Sequence, residues 1–104
     1  MNRSDNLWRN TGIREKVIEE IRLFAGQYKI ERVILFGSRA RGDFKERSDI
    51  DLAFQGGDTV NFSLDVDEET STLLMFDLVD LGRPVSEELR QVIFSEGVTV
   101  YEKV

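Results

Sequence analysis

Asp49 and Asp51 are the residues of this sequence best placed to do chemistry together. They stand in Asp49-Ile50-Asp51-Leu52-Ala53-Phe54, an alternation that predicts a strand with Ile50, Leu52 and Phe54 on one face and the acids on the other. Residues two apart on a strand point the same way, about 6.5 Å apart along the backbone, and carboxylates so spaced can converge on a pair of divalent cations. Taken alone, an Asp-x-Asp is usually an ordinary solvent-facing pair, so its neighbours must decide.

Upstream, Val33-Ile34-Leu35-Phe36 is a β-branched and aromatic run that stops at Gly37-Ser38. A strand that ends in Gly-Ser and turns into a short helical segment presents backbone N–H groups to an anion. Glycine lets phosphate approach the backbone closely, and the Ser38 hydroxyl can donate to a phosphoryl oxygen. The competing interpretation is a tight turn and nothing more. A P-loop is excluded, because Gly42 is followed by Asp43-Phe44 where Lys-Ser/Thr is required. Between the two elements, Arg39, Arg41, Lys45 and Arg47 cluster in an otherwise acidic protein. They either hold phosphates or form a solvated loop balanced by Asp43 and Glu46. Ser48 can orient that loop or touch a phosphate. Downstream, Met75-Phe76-Asp77-Leu78-Val79-Asp80-Leu81 reads as a third strand. If Phe76 and Leu78 pack beneath the sheet with Ile50 and Leu52, Asp77 joins Asp49 and Asp51 as a third carboxylate. It could bind a metal or accept the proton of an attacking hydroxyl. Asp80 then falls on the core side, paired with Arg83.

Composition removes most alternatives. The 104 residues contain neither cysteine nor histidine, so disulfides, thiolate or imidazole metal sites and a histidine base are all excluded. Catalysis must rest on carboxylates, Lys, Arg, Tyr, Ser and oxygen-bound ions. The net charge of −6 argues against duplex nucleic acid or an anionic membrane as partner. No segment approaches the roughly 20 apolar residues of a membrane helix, and Met1 to Arg9 lacks a signal-peptide core, so a cytoplasmic protein is expected.

The elements that must position these residues follow from periodicity. Ile13, Val17, Ile21, Phe24 and Tyr28 mark an amphipathic helix that Thr11 could cap, ending near Tyr28 or Lys29. Gly56-Gly57-Asp58 ends the second strand. Residues 58–72 are acidic and read either as a short helix marked by Phe62, Val66 and Leu73 or as a loop. Ser86 caps a helix with Glu87 and Glu88 in its first turn, a buried stripe of Leu89, Val92 and Ile93, and Gly97 as terminator. Val98 to Tyr101 forms a last strand. The expected class is α+β: a small mixed or antiparallel sheet with helices packed on one face. Residues 1–10 are expected to be a flexible segment in which Trp8 could tuck against the body. Residues 11–104 are expected to form one domain.

Together, Ile34-Leu35-Phe36-Gly37-Ser38-Arg39-Ala40-Arg41-Gly42 and Ser48-Asp49-Ile50-Asp51-Leu52-Ala53 resemble the signature of the polymerase-β-like nucleotidyltransferase superfamily, in which Gly-Gly/Ser precedes Asp-hydrophobic-Asp/Glu by about ten residues. They are especially like the minimal nucleotidyltransferases, the MNT antitoxins of HEPN/MNT toxin–antitoxin pairs. Phe76 to Leu81 resembles the family's third-carboxylate strand, and Glu96-Gly97-Val98-Thr99-Val100-Tyr101 its usual ending. The resemblance implies transfer of a nucleoside monophosphate, AMP from ATP, to a tyrosine of a HEPN-type partner. It implies two Mg²⁺ held by Asp49, Asp51 and Asp77, and phosphates held by Gly37 and Ser38, with Arg39, Arg41 and Ser48 beside them. A hetero-oligomer with the partner, or a homodimer, is expected. The alternative function is a non-catalytic antitoxin that neutralises its partner by binding alone; a third, transfer to a small molecule, is disfavoured by the lack of a substrate domain. Residues 55–73 depart from the family pattern, being short and acidic where a clearer helix is usual.

Overall fold

The computed structural model describes residues 10–104; Trp8 and most of the expected flexible segment lie outside them. Helix α1 (Glu15–Gln27) is followed by strand β1 (Arg32–Phe36), the short helical turn α2 (Ser38–Arg41), strand β2 (Ile50–Gln55), helix α3 (Thr59–Glu69), strand β3 (Phe76–Asp80), helix α4 (Glu87–Glu96) and strand β4 (Val98–Glu102). The strands form one mixed sheet in the order β3-β2-β1-β4. β1 runs antiparallel to β2 and β4, and β2 runs parallel to β3. The α+β class and the mixed sheet are as expected.

One core lies where the alternation placed it. Ile50, Leu52 and Phe54 of β2 and Val33 and Leu35 of β1 pack against Ile13, Val17, Ile18, Ile21 and Ala25. Thr11 does not cap α1. The N-cap is Arg14, without a side-chain cap, while Thr11 is buried and its Oγ1 accepts from Ile13 N–H at 3.2 Å. Residues 59–69 resolve to helix α3, capped by Asp58, whose carboxylate accepts from Asn61 N–H. Phe62 and Val66 are fully buried, and Phe62 meets Phe54 edge-on with ring centroids 5.1 Å apart. Leu73, expected to share that stripe, is fully exposed beyond the helix end.

The helices do not all share one face. Ile34, Phe36 and Ala53 point to the opposite side, where they pack with Ile93 of α4, with Leu81, and with the partly buried Leu89 and Val79. From Leu52 to Phe54, β2 is therefore apolar on both faces, and α4 crosses over to cover the second. Ser86 caps α4 as expected, accepting from Leu89 N–H, but Val92 is exposed rather than part of the stripe. Gly97 does follow the helix, yet its backbone is extended (φ −68°) rather than left-handed. Its role is room: a Cβ there would overlap the Ile93 carbonyl and the Ile34 side chain.

Candidate active site

The topology brings the candidate residues to one end of the sheet. β1 finishes there at Phe36, β2 and β3 begin there, and Cα pairing sets Phe36 opposite Asp51 and Asp51 opposite Asp77. Asp49 stands one residue ahead of β2 and is exposed. Phe76 and Leu78 pack into the first core, which leaves Asp77 on the face of Asp51. Asp77 therefore lies beside Asp51 on a shared face of the sheet. Asp80 lies on the other side, near Arg83 Nε at 3.7 Å and accepting from Gly82 N–H at 2.8 Å, the structural role expected of it.

Asp51 is the electrostatic centre of the cluster. Burial first, then the charges of Asp77 and Asp49 and a hydrogen bond shared with the Asp77 carboxyl, push its carboxyl up from 3.8 to about 6, against a smaller pull from Arg41. Adjacent carboxylates cannot all ionise without cost. Among the described residues, no three acids enclose a ready-made metal cage. Mg²⁺, however, is usually held by one or two carboxylates, with waters and substrate phosphates completing its shell. An all-oxygen cluster whose mutual repulsion a cation would relieve fits that ion.

Gly37 joins the carboxylates to the α2 turn. Its φ of +76° lies in the region that favours glycine, and a Cβ would fall on the Asp51 carboxylate. The turn closes through Arg41 N–H to the Gly37 carbonyl and Gly42 N–H to that of Ser38. As at any helix start, the amides of Ser38, Arg39 and Ala40 have no partner within the turn.

The basic residues separate by role. Arg39, expected beside the phosphates, is turned away: it is 1 % exposed, and its guanidinium donates to the carbonyls of Ser48 (3.0 Å), Thr11 (2.9 Å) and Glu46 (3.1 Å) while lying over the Phe44 ring. Burial lowers its pKa, with the Asp51 charge pulling the other way. Arg39 therefore fastens the loop that delivers Asp49. Ser48 helps, its Oγ accepting from Lys45 N–H at 2.8 Å, so its observed work is loop orientation. Arg41 is exposed at the mouth, donating to Asp43 at 3.2 Å and to Glu96 at 3.0 Å. Those contacts, led by Asp43, raise its pKa. Lys45 and Arg47 are exposed on the loop. The residue that sequence reasoning missed is Glu96, which accepts from Gly37 N–H at 3.1 Å; its only signal was its place in Glu96-Gly97 ahead of the last strand. A groove of about 610 Å³ between α3 and β3, lined in part by Val60, Leu64 and Leu78, belongs to the opposite face from Asp77.

Comparison with known proteins identifies the family. Residues 18–104 match the family Polymerase beta, Nucleotidyltransferase, and the chain belongs to that family of nucleotidyltransferases. It is 41 % identical over 78 residues, 72 % of this chain and 76 % of the relative, to a protein of Methanocaldococcus jannaschii named "Putative protein adenylyltransferase MJ0604". Among solved structures, it resembles a toxin–antitoxin with AMP-PNP (TM-score 0.60, 25 % identity, 83 % of this chain and 73 % of that one). It also shares its fold with a chain of the tri-AMPylated Shewanella oneidensis HEPN toxin in complex with MNT antitoxin (TM-score 0.58, 22 % identity, 84 % and 71 %). Among the described residues, no helix is long and apolar enough to cross a membrane.

Proposed function

We propose that this chain is the antitoxin of a HEPN/MNT pair and transfers AMP from ATP to a tyrosine hydroxyl of its HEPN-domain partner. The observation that carries the reading is the meeting of Asp51 and Asp77 across paired strands, with Asp49 next to them and Gly37-Ser38 alongside, in a chain similar to a named protein adenylyltransferase. The AMP-PNP bound in one structural relative supports ATP as donor, and the HEPN toxin of another supports the acceptor.

Gly37 and Ser38 would bind the β- and γ-phosphates through backbone amides and the Ser38 hydroxyl. Mg²⁺ held by Asp49, Asp51 and Asp77 would supply charge neutralisation at the triphosphate. The tyrosine oxygen forms a bond to the α-phosphorus as the bond from that phosphorus to the bridging oxygen breaks, and pyrophosphate leaves. The hydroxyl proton passes to the Asp77 carboxylate, which is carried by the edge strand β3. Because attacking and leaving oxygens lie roughly in line, a pyrophosphate on the β1 side places the acceptor on the β3 side. β3, which carries Asp77, is the edge strand on that side.

The test is transfer of label to the purified HEPN partner from ATP labelled at either the α- or the γ-phosphate. Label from the α position only, abolished by Asp77→Asn, is expected. Label from the γ position would make the chain a kinase and refute the reading. A stable complex with no label from either would favour a binding-only antitoxin.

A further inference from the structure

Glu96 closes α4, yet its carboxylate sits 59 residues away in sequence, in the hand of the Gly37 turn. A single oxygen, Oε1, accepts from Gly37 N–H at 3.1 Å and from Arg41 Nη1 at 3.0 Å, and the side chain is only 22 % exposed. A backbone amide and a guanidinium converging on one anionic oxygen form the arrangement that also holds a phosphate oxygen. The carboxylate adds negative charge to a corner that already holds Asp51, whose own carboxylate lies against Gly37. A contact needed only to fasten α4 to the sheet could be made by the neutral carbonyl of a glutamine, which would offer the same oxygen without the repulsion.

We infer that Glu96 is a built-in anion that stands where a phosphate of the substrate will stand, holding Gly37 and Arg41 until the triphosphate displaces it and reclaiming them as pyrophosphate leaves. This rests on the reading of Gly37-Ser38 as the phosphate cradle. Glu96 thereby sets how tightly the site holds phosphates, weakening affinity and favouring release, while Arg41 exchanges one anionic partner for another. The exchange leaves no guanidinium unpaired at any stage, since Asp43 keeps its contact with Arg41 Nε.

The experiment is calorimetric titration of pyrophosphate with Mg²⁺ into the wild type and Glu96→Gln, with Glu88→Gln on the same helix as control. Glutamine keeps the acceptor oxygen and the shape, so the melting temperature should be preserved. Removing the competing charge should tighten pyrophosphate binding by roughly fivefold, the scale of one partly exposed charge pair, with Glu88→Gln unchanged. In the wild type, the Gly37 amide resonance should shift as pyrophosphate replaces the carboxylate. Equal or weaker binding by Glu96→Gln, or a Gly37 amide indifferent to pyrophosphate that does bind, would make Glu96 a fastening of the helix and overturn the inference alone. Absence of binding by either protein would overturn the phosphate cradle itself, and the inference with it.

Discussion

Replacing Asp51 with Asn should make the metal-free protein more stable while destroying its activity. The folded chain raises the Asp51 carboxyl from 3.8 to about 6 through burial and the nearby Asp77 and Asp49. Between those values the folded protein holds a proton that the unfolded chain has shed, so stability falls as pH rises through the window. Above about pH 6 the whole penalty applies; below 3.8 it vanishes, because both states are protonated. At about 1.4 kcal/mol per unit the shift corresponds to about 3 kcal/mol, and partial solvent access reduces this to about 1–2 kcal/mol. Asn keeps the size of the side chain and carries no charge. In EDTA at pH 8, Asp51→Asn should therefore melt roughly 5–10 °C higher than the wild type, and the difference should close as pH falls towards 4. Mg²⁺ should stabilise the wild type and not the variant. A variant that melts at or below the wild-type temperature at pH 8, or a difference that persists at pH 4, would refute the electrostatic account of the cluster.

Three further outcomes follow from the packing. Arg39→Lys should cost about 2–3 kcal/mol in urea unfolding, because a lysine cannot satisfy three carbonyls set around a planar guanidinium and leaves buried acceptors unpaired; a loss below about 0.5 kcal/mol would show that Arg39 does not fasten the Asp49 loop. Gly37→Ala should cost more than about 2 kcal/mol, since its φ of +76° and the Asp51 carboxylate leave no place for a methyl group. It should also abolish nucleotide binding measured by calorimetry. Phe62→Ala should cost about 3–4 kcal/mol by thermal unfolding, as expected if α3 is part of the core; a near-neutral result would return residues 59–69 to a loosely held loop.

What could be read from the residues was the part governed by local pattern. The stripe from Ile13 to Tyr28, the turn at Gly37 and the alternation after Asp49 each depend on near neighbours, and their combination brought Asp77 beside Asp51. The side chosen by α4 was harder, because Val33 to Phe36 is apolar at every position and shows two buried faces without saying what covers each. Ala53 and Val79 were the quiet signs that the acid-bearing face was also packed. In α3, Phe62 and Val66 face the core while Val60 and Leu64 are exposed, so apolar residues surround the helix and blur its period. Arg39 was placed with the phosphates because charge is visible in sequence and burial is not. Glu96 was missed for the opposite reason: its partners, Gly37 and Arg41, are joined to it only by the sheet.

The proposed activity is attachment of AMP to a HEPN-domain partner through Asp49, Asp51 and Asp77. Its most direct test is the intact mass of that partner after incubation with the chain, ATP and Mg²⁺, beside a control carrying Asp49→Ala and Asp51→Ala. The account predicts mass added in whole AMP units by the wild type and none by the control. An unmodified partner that still forms a tight complex with both proteins would contradict it.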